Sequence, residues 1–103
     1  MPIHNKLVRD AIPEIIEKNG QKATVRVLTK EEYTKELLRK LVEEARELLA
    51  SNGDLDERAD VEEVLAALDD TFGWTEKDIR DARVKKNAAR GAFTRRLYLE
   101  EVR

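Results

Sequence analysis

The sequence has no cysteine and a single histidine, and these two shortages exclude several kinds of site. Without cysteine the chain forms no disulfide, zinc–thiolate centre or thiol nucleophile. The lone His4 is too little for a histidine-rich metal site. Apolar runs stay well short of the roughly 18 residues that cross a bilayer, and the first residues lack the apolar stretch of a secretory signal. We therefore expect a cytoplasmic protein without a membrane partner.

An excess of charge of one sign is also missing, since 20 basic residues stand against 22 acidic residues, for a net charge of -2. A chain with this balance does not cover the phosphates of a nucleic acid, so no stable nucleic-acid partner is expected. A length of 103 residues with 41% apolar residues fits one domain, 1–103. Because so small a domain buries a modest core, we expect a homo-oligomer, a dimer or a larger assembly.

Capping signals and apolar periodicity predict a mainly α fold, built around an antiparallel helical hairpin or bundle. Thr29 with Glu32, and Thr75 with Asp78, have the spacing of capping boxes, and Asp10 is placed to cap a short first helix. The segments 24–28 and 93–99 have β character, which allows a small two-stranded ribbon. The predicted helices run over about 11–18, from Thr29 to Asn52-Gly53, from Asp54 or Leu55 to Phe72-Gly73, and from Thr75 to near Gly91.

Four carboxylates stand out from the charged helix faces. Glu44 borders the apolar stripe of the long helix, and Glu47 lies one turn further along and about 60° further round. On the following helix Glu57 falls inside the apolar arc, and Asp60 flanks that arc by about 40°. An antiparallel hairpin brings the two pairs level, so we expect four carboxylates to meet at one depth.

Such a cluster repels itself unless a cation lies between its members. Oxygen ligands without histidine or cysteine favour Mg²⁺, or alternatively Mn²⁺, and Mg²⁺ bridges readily to phosphate oxygens. Each pair alone, however, is common on an ordinary solvated helix. The two pairs together predict a metal site, with Glu44, Glu47, Glu57 and Asp60 as ligands.

Basic residues are the second group of candidates, because they are suited to bind the phosphates of a substrate. One set shares a side of the last helix and consists of Arg83, Lys86, Asn87 and Arg90. Lys6 and Arg9, just before the first helix, are possible substrate contacts. The alternatives are a cationic helix end that complements the macrodipole and a solvated cluster beside a helix cap.

The chain also resembles a known superfamily, the all-α nucleoside triphosphate pyrophosphohydrolases, which include the MazG-like and phosphoribosyl-ATP pyrophosphohydrolase-like proteins. The family's Glu-Glu-x-x-Glu pattern matches Glu43-Glu44-Ala45-Arg46-Glu47, and its Glu-x-x-Asp pattern matches Glu57-Arg58-Ala59-Asp60. The segments 5–10, 12–16, 90–93 and 97–102 look like those of the predicted house-cleaning branch.

This resemblance implies hydrolysis of a nucleoside triphosphate to the monophosphate and pyrophosphate, with Mg²⁺ held by the Glu and Asp set. Glu43 joins the expected catalytic set, and the general base is either Glu43 or one of the metal ligands. On the helix Glu43 lies furthest from the apolar stripe, which makes it the weakest member of the set. Two other readings remain open. One is a non-catalytic helical interaction module, which predicts no metal dependence. The other is a metal-dependent nuclease, for which a longer substrate favours a broader basic surface.

Overall fold

The computed structural model describes residues 3–103, and four α-helices account for the regular structure in that range. This confirms the mainly α prediction. The helices are α1 (Ile12–Lys18), α2 (Lys30–Ala50), α3 (Leu55–Phe72) and α4 (Glu76–Arg90). None of the helices within the described range is long and apolar enough to cross a membrane.

The small ribbon anticipated between 24–28 and 93–99 is wrong, because both segments are irregular and residues 3–103 contain no strand. Their β-branched and aromatic side chains are largely exposed, as Val27 and Phe93 at 97% and 98% show. Two isolated strands are marginal in water unless one face packs against a hydrophobic surface. Local β character therefore did not suffice to form a ribbon here.

Capping boxes begin both α2 and α4, as the sequence predicted. At α2 the Glu32 N–H donates to Thr29 Oγ1 at 3.2 Å, and the Thr29 N–H donates to Glu32 Oε1 at 3.1 Å. Thr75 and Asp78 make the same two bonds at α4. These bonds satisfy backbone donors that have no partner inside the helix, which explains why the starts of these helices were predictable.

The cap predicted for α1 is wrong. Ala11, rather than Asp10, occupies the N-cap position, and no side chain caps the helix. Instead, the Ile12 N–H donates to the Arg9 carbonyl at 3.0 Å, so a backbone turn leads into the helix. Pro13 in the first turn has no N–H to satisfy, which lowers the need for a side-chain cap.

A tight turn joins α2 to α3. Asn52 and Gly53 adopt positive φ angles of 58° and 98°, a conformation that asparagine and glycine tolerate best. The Asp54 N–H donates to Ser51 Oγ at 3.1 Å, and Asp54 Oδ1 accepts from the Asp56 N–H at 2.8 Å. A connection this short makes the two helices antiparallel neighbours.

The hairpin core confirms the antiparallel arrangement. Leu37 of α2 is buried with Val64 and Leu68 of α3, whereas Glu44, two turns further along α2, lies beside Glu57 near the start of α3. Partly buried residues pack around this core, namely Leu7, Tyr33, Leu41 and Ala67. Burying one such leucine or valine stabilises the fold by roughly 1.5–3 kcal/mol. The core is thus small and consists of the hairpin itself.

The structure buries only one edge of the apolar stripe predicted on α2 and leaves the other edge exposed. Its Leu37 edge is buried against α3, whereas Leu38, Val42 and Leu49 are 46%, 49% and 78% exposed. At about 100° per residue these three side chains lie within roughly 40° of one another. The hairpin therefore has a second apolar surface that α3 does not cover.

The fold divides into two compact units, the first ending at Phe72 and the second comprising Gly73–Arg103. The hairpin and α1 belong to the first unit. The second consists of α4 followed by an irregular, exposed segment. A single domain over 1–103 stays a prediction from the sequence.

Candidate metal centre

Glu44 is the one charged residue in the described part of the chain that is buried, with 7% of its surface exposed. It lies on the edge of α2 that faces α3. Carboxylate oxygens of Glu44, Glu57 and Asp60 all lie within 4.8 Å of one another. The structure therefore brings together three of the four ligands predicted from the sequence, from two helices. We call these three residues the interhelical triad.

Glu47 belongs to a neighbouring group. Its carboxylate lies within 4.8 Å of those of Glu43 and Glu44, and all three residues are on α2. Glu47 is exposed because it lies about 60° further round the helix than Glu44, away from α3. The single four-membered cluster anticipated from the sequence is thus resolved into two groups that share Glu44.

Two oxygens of the interhelical triad are buried without a hydrogen-bond partner, Glu44 Oε2 and Glu57 Oε2. Burial raises the pKa of Glu44 above its ordinary value, the neighbouring Glu47 adds to this effect, and Lys40 opposes it. Burial likewise raises the pKa of Glu57, assisted by the charges of Asp60 and Glu44. Both carboxylates thus lie where a negative charge is poorly solvated and repelled by its neighbours.

Lys40 partly compensates this repulsion. Its Nζ lies 3.4 Å from both Glu43 Oε1 and Glu44 Oε1, and only 16% of its side chain is exposed. We did not single out Lys40 from the sequence, although its i, i+4 spacing to Glu44 is the usual signal of a helical ion pair. At 3.4 Å these contacts are long for a charge-assisted bond, and they leave Glu44 Oε2 without a partner.

Arg9 supplies a second cation, from outside the hairpin. Its Nη2 donates to Asp60 Oδ1 at 2.7 Å across 51 positions of sequence. The side chains of Arg9 and Asp60 are 56% and 38% exposed, so this ion pair is at the surface. Arg9 was a candidate substrate contact, and the structure places it directly on a predicted metal ligand. Lys6, the companion candidate, is exposed in the segment before α1.

The basic candidates of α4 belong to the second unit. These residues are Arg83, Lys86, Asn87 and Arg90, and all four are exposed. The helix is continuous through their positions, so they share one side of it as their spacing predicted. This set is a surface stripe of the second unit.

An open hollow of about 550 Å³ lies on the surface of α2, beside the second group of carboxylates. Its lining combines two guanidinium groups, two carboxylates and one apolar side chain, which are those of Arg39, Arg46, Glu43, Glu47 and Val42. The two arginines recur at i and i+7 on one face. They are cations near the carboxylates that the sequence reasoning did not single out.

The chemistry of the interhelical triad fits a hard divalent cation. All its donors are carboxylate oxygens, the ligand type that Mg²⁺ and Mn²⁺ prefer. Two of the buried oxygens have no partner, and a buried polar atom without a partner is costly. A cation between Glu44, Glu57 and Asp60 would pair these oxygens and cancel their mutual repulsion.

Comparisons with protein-family models, with curated proteins and with solved structures give no match to this chain.

Proposed function

We propose that this protein is a Mg²⁺-dependent nucleoside triphosphate pyrophosphohydrolase, which hydrolyses its substrate between the α and β phosphates to a monophosphate and pyrophosphate. The observation that carries the proposal is the interhelical triad, in which Glu44 and Glu57 each bury an unpartnered oxygen beside Asp60. A buried anionic cluster of this composition is suited to a cation that also binds phosphate oxygens. The resemblance of the two sequence motifs to the pyrophosphohydrolases supports the same reaction.

In this mechanism Glu44, Glu57 and Asp60 would hold the metal, and Glu47 would extend the set along α2. Bound Mg²⁺, or Mn²⁺ in its place, would neutralise charge on the phosphates and orient the attacking water. Glu43 lies in the neighbouring group, outside the interhelical triad, and is our candidate to accept the proton of that water. One water is consumed for each phosphoanhydride bond broken.

Cationic side chains then bind the substrate phosphates. Arg9 lies against the triad, and Lys6 precedes it in the same segment. The α4 stripe is the other candidate set, comprising Arg83, Lys86, Asn87 and Arg90. Guanidinium groups match the geometry of phosphate oxygens, and lysine supplies a point charge. The substrate we propose is a modified or unwanted nucleotide, in keeping with the house-cleaning branch that the sequence resembles.

The experiment is to measure pyrophosphate release from a panel of standard and modified nucleoside triphosphates, with Mg²⁺ and with a chelator. We expect turnover by the wild type with Mg²⁺ and none by Glu57→Gln, which keeps the size of the side chain but removes its charge. Glu63→Gln is the matched control, since Glu63 is an exposed residue of α3 outside both carboxylate groups. Full activity of Glu57→Gln would rule out the proposed centre.

A specific observation also favours a partner. The exposed α2 surface of Leu38, Val42 and Leu49 is an apolar stripe that a compact domain seldom leaves in water. Ala45 is exposed on the same side of the helix. The four positions are arranged symmetrically about the middle of the stripe. Residues 38 and 49 are equally distant from that middle, and so are residues 42 and 45. Two antiparallel copies would thus place leucine on leucine and valine on alanine. We propose that this surface joins two chains in a homo-oligomer.

The alternative function, a non-catalytic interaction module, rests on the same exposed stripe, with a different protein as the partner. The two functions differ in the role of the carboxylates. Stabilisation of the folded protein by Mg²⁺ is expected of the enzyme and not of the module, because a ligand that binds only the folded state raises its stability.

A further inference from the structure

Arg9 reaches the hairpin from a segment that packs against it. Leu7, two residues earlier, contacts the core cluster of Leu37, Val64 and Leu68. Three residues after Arg9, the Ile12 N–H donates to the Arg9 carbonyl at 3.0 Å and α1 begins. The backbone of Arg9 is thus held on both sides, and its side chain extends to Asp60 on α3 and donates a hydrogen bond to it.

The ion pair between Arg9 and Asp60 can break with little loss of stability, so that each residue can bind another partner. It is formed by Nη2 of Arg9, and more than half of the Arg9 side chain remains exposed. Exposed ion pairs of this kind contribute little to stability, since water screens the charges and both side chains lose freedom. The short distance of 2.7 Å therefore indicates good hydrogen-bond geometry but not a large contribution to stability.

Asp60 has two cations competing for it if the triad binds a metal. The Asp60 carboxylate lies within 4.8 Å of the oxygens of Glu44 and Glu57, and it also accepts the bond from Arg9. A divalent cation in the triad would attract Asp60 more strongly than a singly charged guanidinium does, and would repel the guanidinium. The Arg9 donors would then be released beside the triad, where they could bind the phosphate oxygens of a substrate.

Resting on the proposed function, we propose that Arg9 is a phosphate-binding residue whose guanidinium is exchanged from Asp60 to the substrate when a divalent cation binds the triad. Arg9 thus has two successive anionic partners. In the metal-free protein it shields Asp60, and in the loaded protein its planar fork binds a phosphate. The chain need only change a side-chain rotamer, since the backbone is held by Leu7 and by the turn into α1.

Arg58 provides a matched control. Arg58 lies on the surface of α3, and its side chain is 51% exposed, against 56% for Arg9. It pairs with Glu62 at 2.8 Å, and Glu62 belongs to neither carboxylate group. Replacing either arginine by methionine removes one positive charge near the triad, but only Arg9→Met removes a direct competitor for Asp60.

The first measurement is calorimetric titration of the full chain with Mg²⁺ alone. We expect Arg9→Met to bind Mg²⁺ about three- to fivefold more tightly than the wild type, as the loss of an exposed competing ion pair implies. Arg58→Met should stay within about twofold, since water and salt screen a charge that forms no ion pair with the triad. Equal affinities of the two variants would overturn the exchange, whereas a wild type that binds no Mg²⁺ would overturn the proposed function itself.

The second measurement is titration with inorganic pyrophosphate at saturating Mg²⁺, which requires no turnover. Here we expect the opposite order: Arg9→Met binds pyrophosphate about tenfold more weakly, the effect of losing charge-assisted bonds to a phosphate. Arg58→Met again stays within about twofold. Unchanged pyrophosphate affinity in Arg9→Met would overturn its role in phosphate binding, and circular dichroism of both variants checks that their helices are intact.

Discussion

Glu44 of α2 and Glu57 of α3 face each other across the hairpin, and each buries an Oε2 atom that has no hydrogen-bond partner. Thirteen positions separate them, and the short turn at Ser51–Asp54 folds the chain back between them. Two acids in this relationship destabilise the folded state when both are charged. Relieving that repulsion should therefore stabilise the fold.

Removing the charge of Glu57 should make the metal-free protein more stable and strongly reduce its stabilisation by Mg²⁺. Glu57→Gln eliminates the repulsion by Glu44 and Asp60 while keeping the shape of the side chain. Without Mg²⁺, Glu57→Gln should unfold at a higher temperature than the wild type. With Mg²⁺ at 100 times its Kd, the wild type gains about 2.7 kcal/mol and the variant much less. Glu63→Gln should behave as the wild type; equal gains in all three proteins would argue against the triad.

The pH dependence of stability should have an unusual sign in the metal-free protein. Because the pKa values of Glu44 and Glu57 are raised in the folded state, that state binds more protons than the unfolded chain between the ordinary and the raised values. The free energy of unfolding should therefore fall as pH rises through this window. Urea unfolding at a series of pH values measures it, and Glu44→Gln should flatten the fall. A slope unchanged in Glu44→Gln would contradict this origin.

A different carboxylate governs the lower pH range. The bonds from Arg26 and from the Thr29 backbone lower the pKa of Glu32 to about 2. A lowered pKa in the folded state contributes stability above the ordinary value, and this contribution is lost as pH falls towards 2. We thus expect stability to pass through a maximum between the two windows, and Glu32→Gln should lessen the loss on the acidic side in the same urea series.

Lys40 should matter most when no metal is present. Lys40→Met keeps much of the apolar stem but leaves Glu44 without its counter-ion, so we expect a loss of about 1–3 kcal/mol in the free energy of unfolding. Saturating Mg²⁺ should recover a large part of that loss, because the cation takes over the neutralisation. Lys35→Met, at an exposed position of α2, is the control. A loss of the same size with and without Mg²⁺ would show that Lys40 acts through packing alone.

The exposed α2 stripe can be tested by charge. Leu49 is 78% exposed, so Leu49→Glu should leave the single chain folded and yet disfavour association, because it buries an unpaired carboxylate between two copies. Light scattering coupled to size-exclusion chromatography should give a smaller mass for this variant than for the wild type. Val27→Glu is the control, as Val27 is 97% exposed outside the stripe. A monomeric wild type would refute the homo-oligomer.

Local sequence determined most of the helices. The boxes at Thr29 and Thr75 fixed two helix starts, and Asn52 with Gly53 fixed the turn of the hairpin, because each acts through bonds or backbone conformations within a few residues. The predictions of a cap at Asp10 and of a β ribbon were wrong, each for its own reason. A backbone turn replaced the cap, and strands require a partner and a packed face that the segments lack.

The sequence by itself determined that Glu44 and Glu57 would be out of place on their helices, since apolar periodicity alone reveals an acid at the edge of a stripe or inside an arc. Only the tertiary structure decided which acids meet. It joined Glu44 with Glu57 and Asp60, left Glu47 to a second group, and brought Arg9 onto Asp60 across 51 positions. Helical spacing fixes the angle of a side chain about its own axis, whereas contacts between elements depend on how those elements pack.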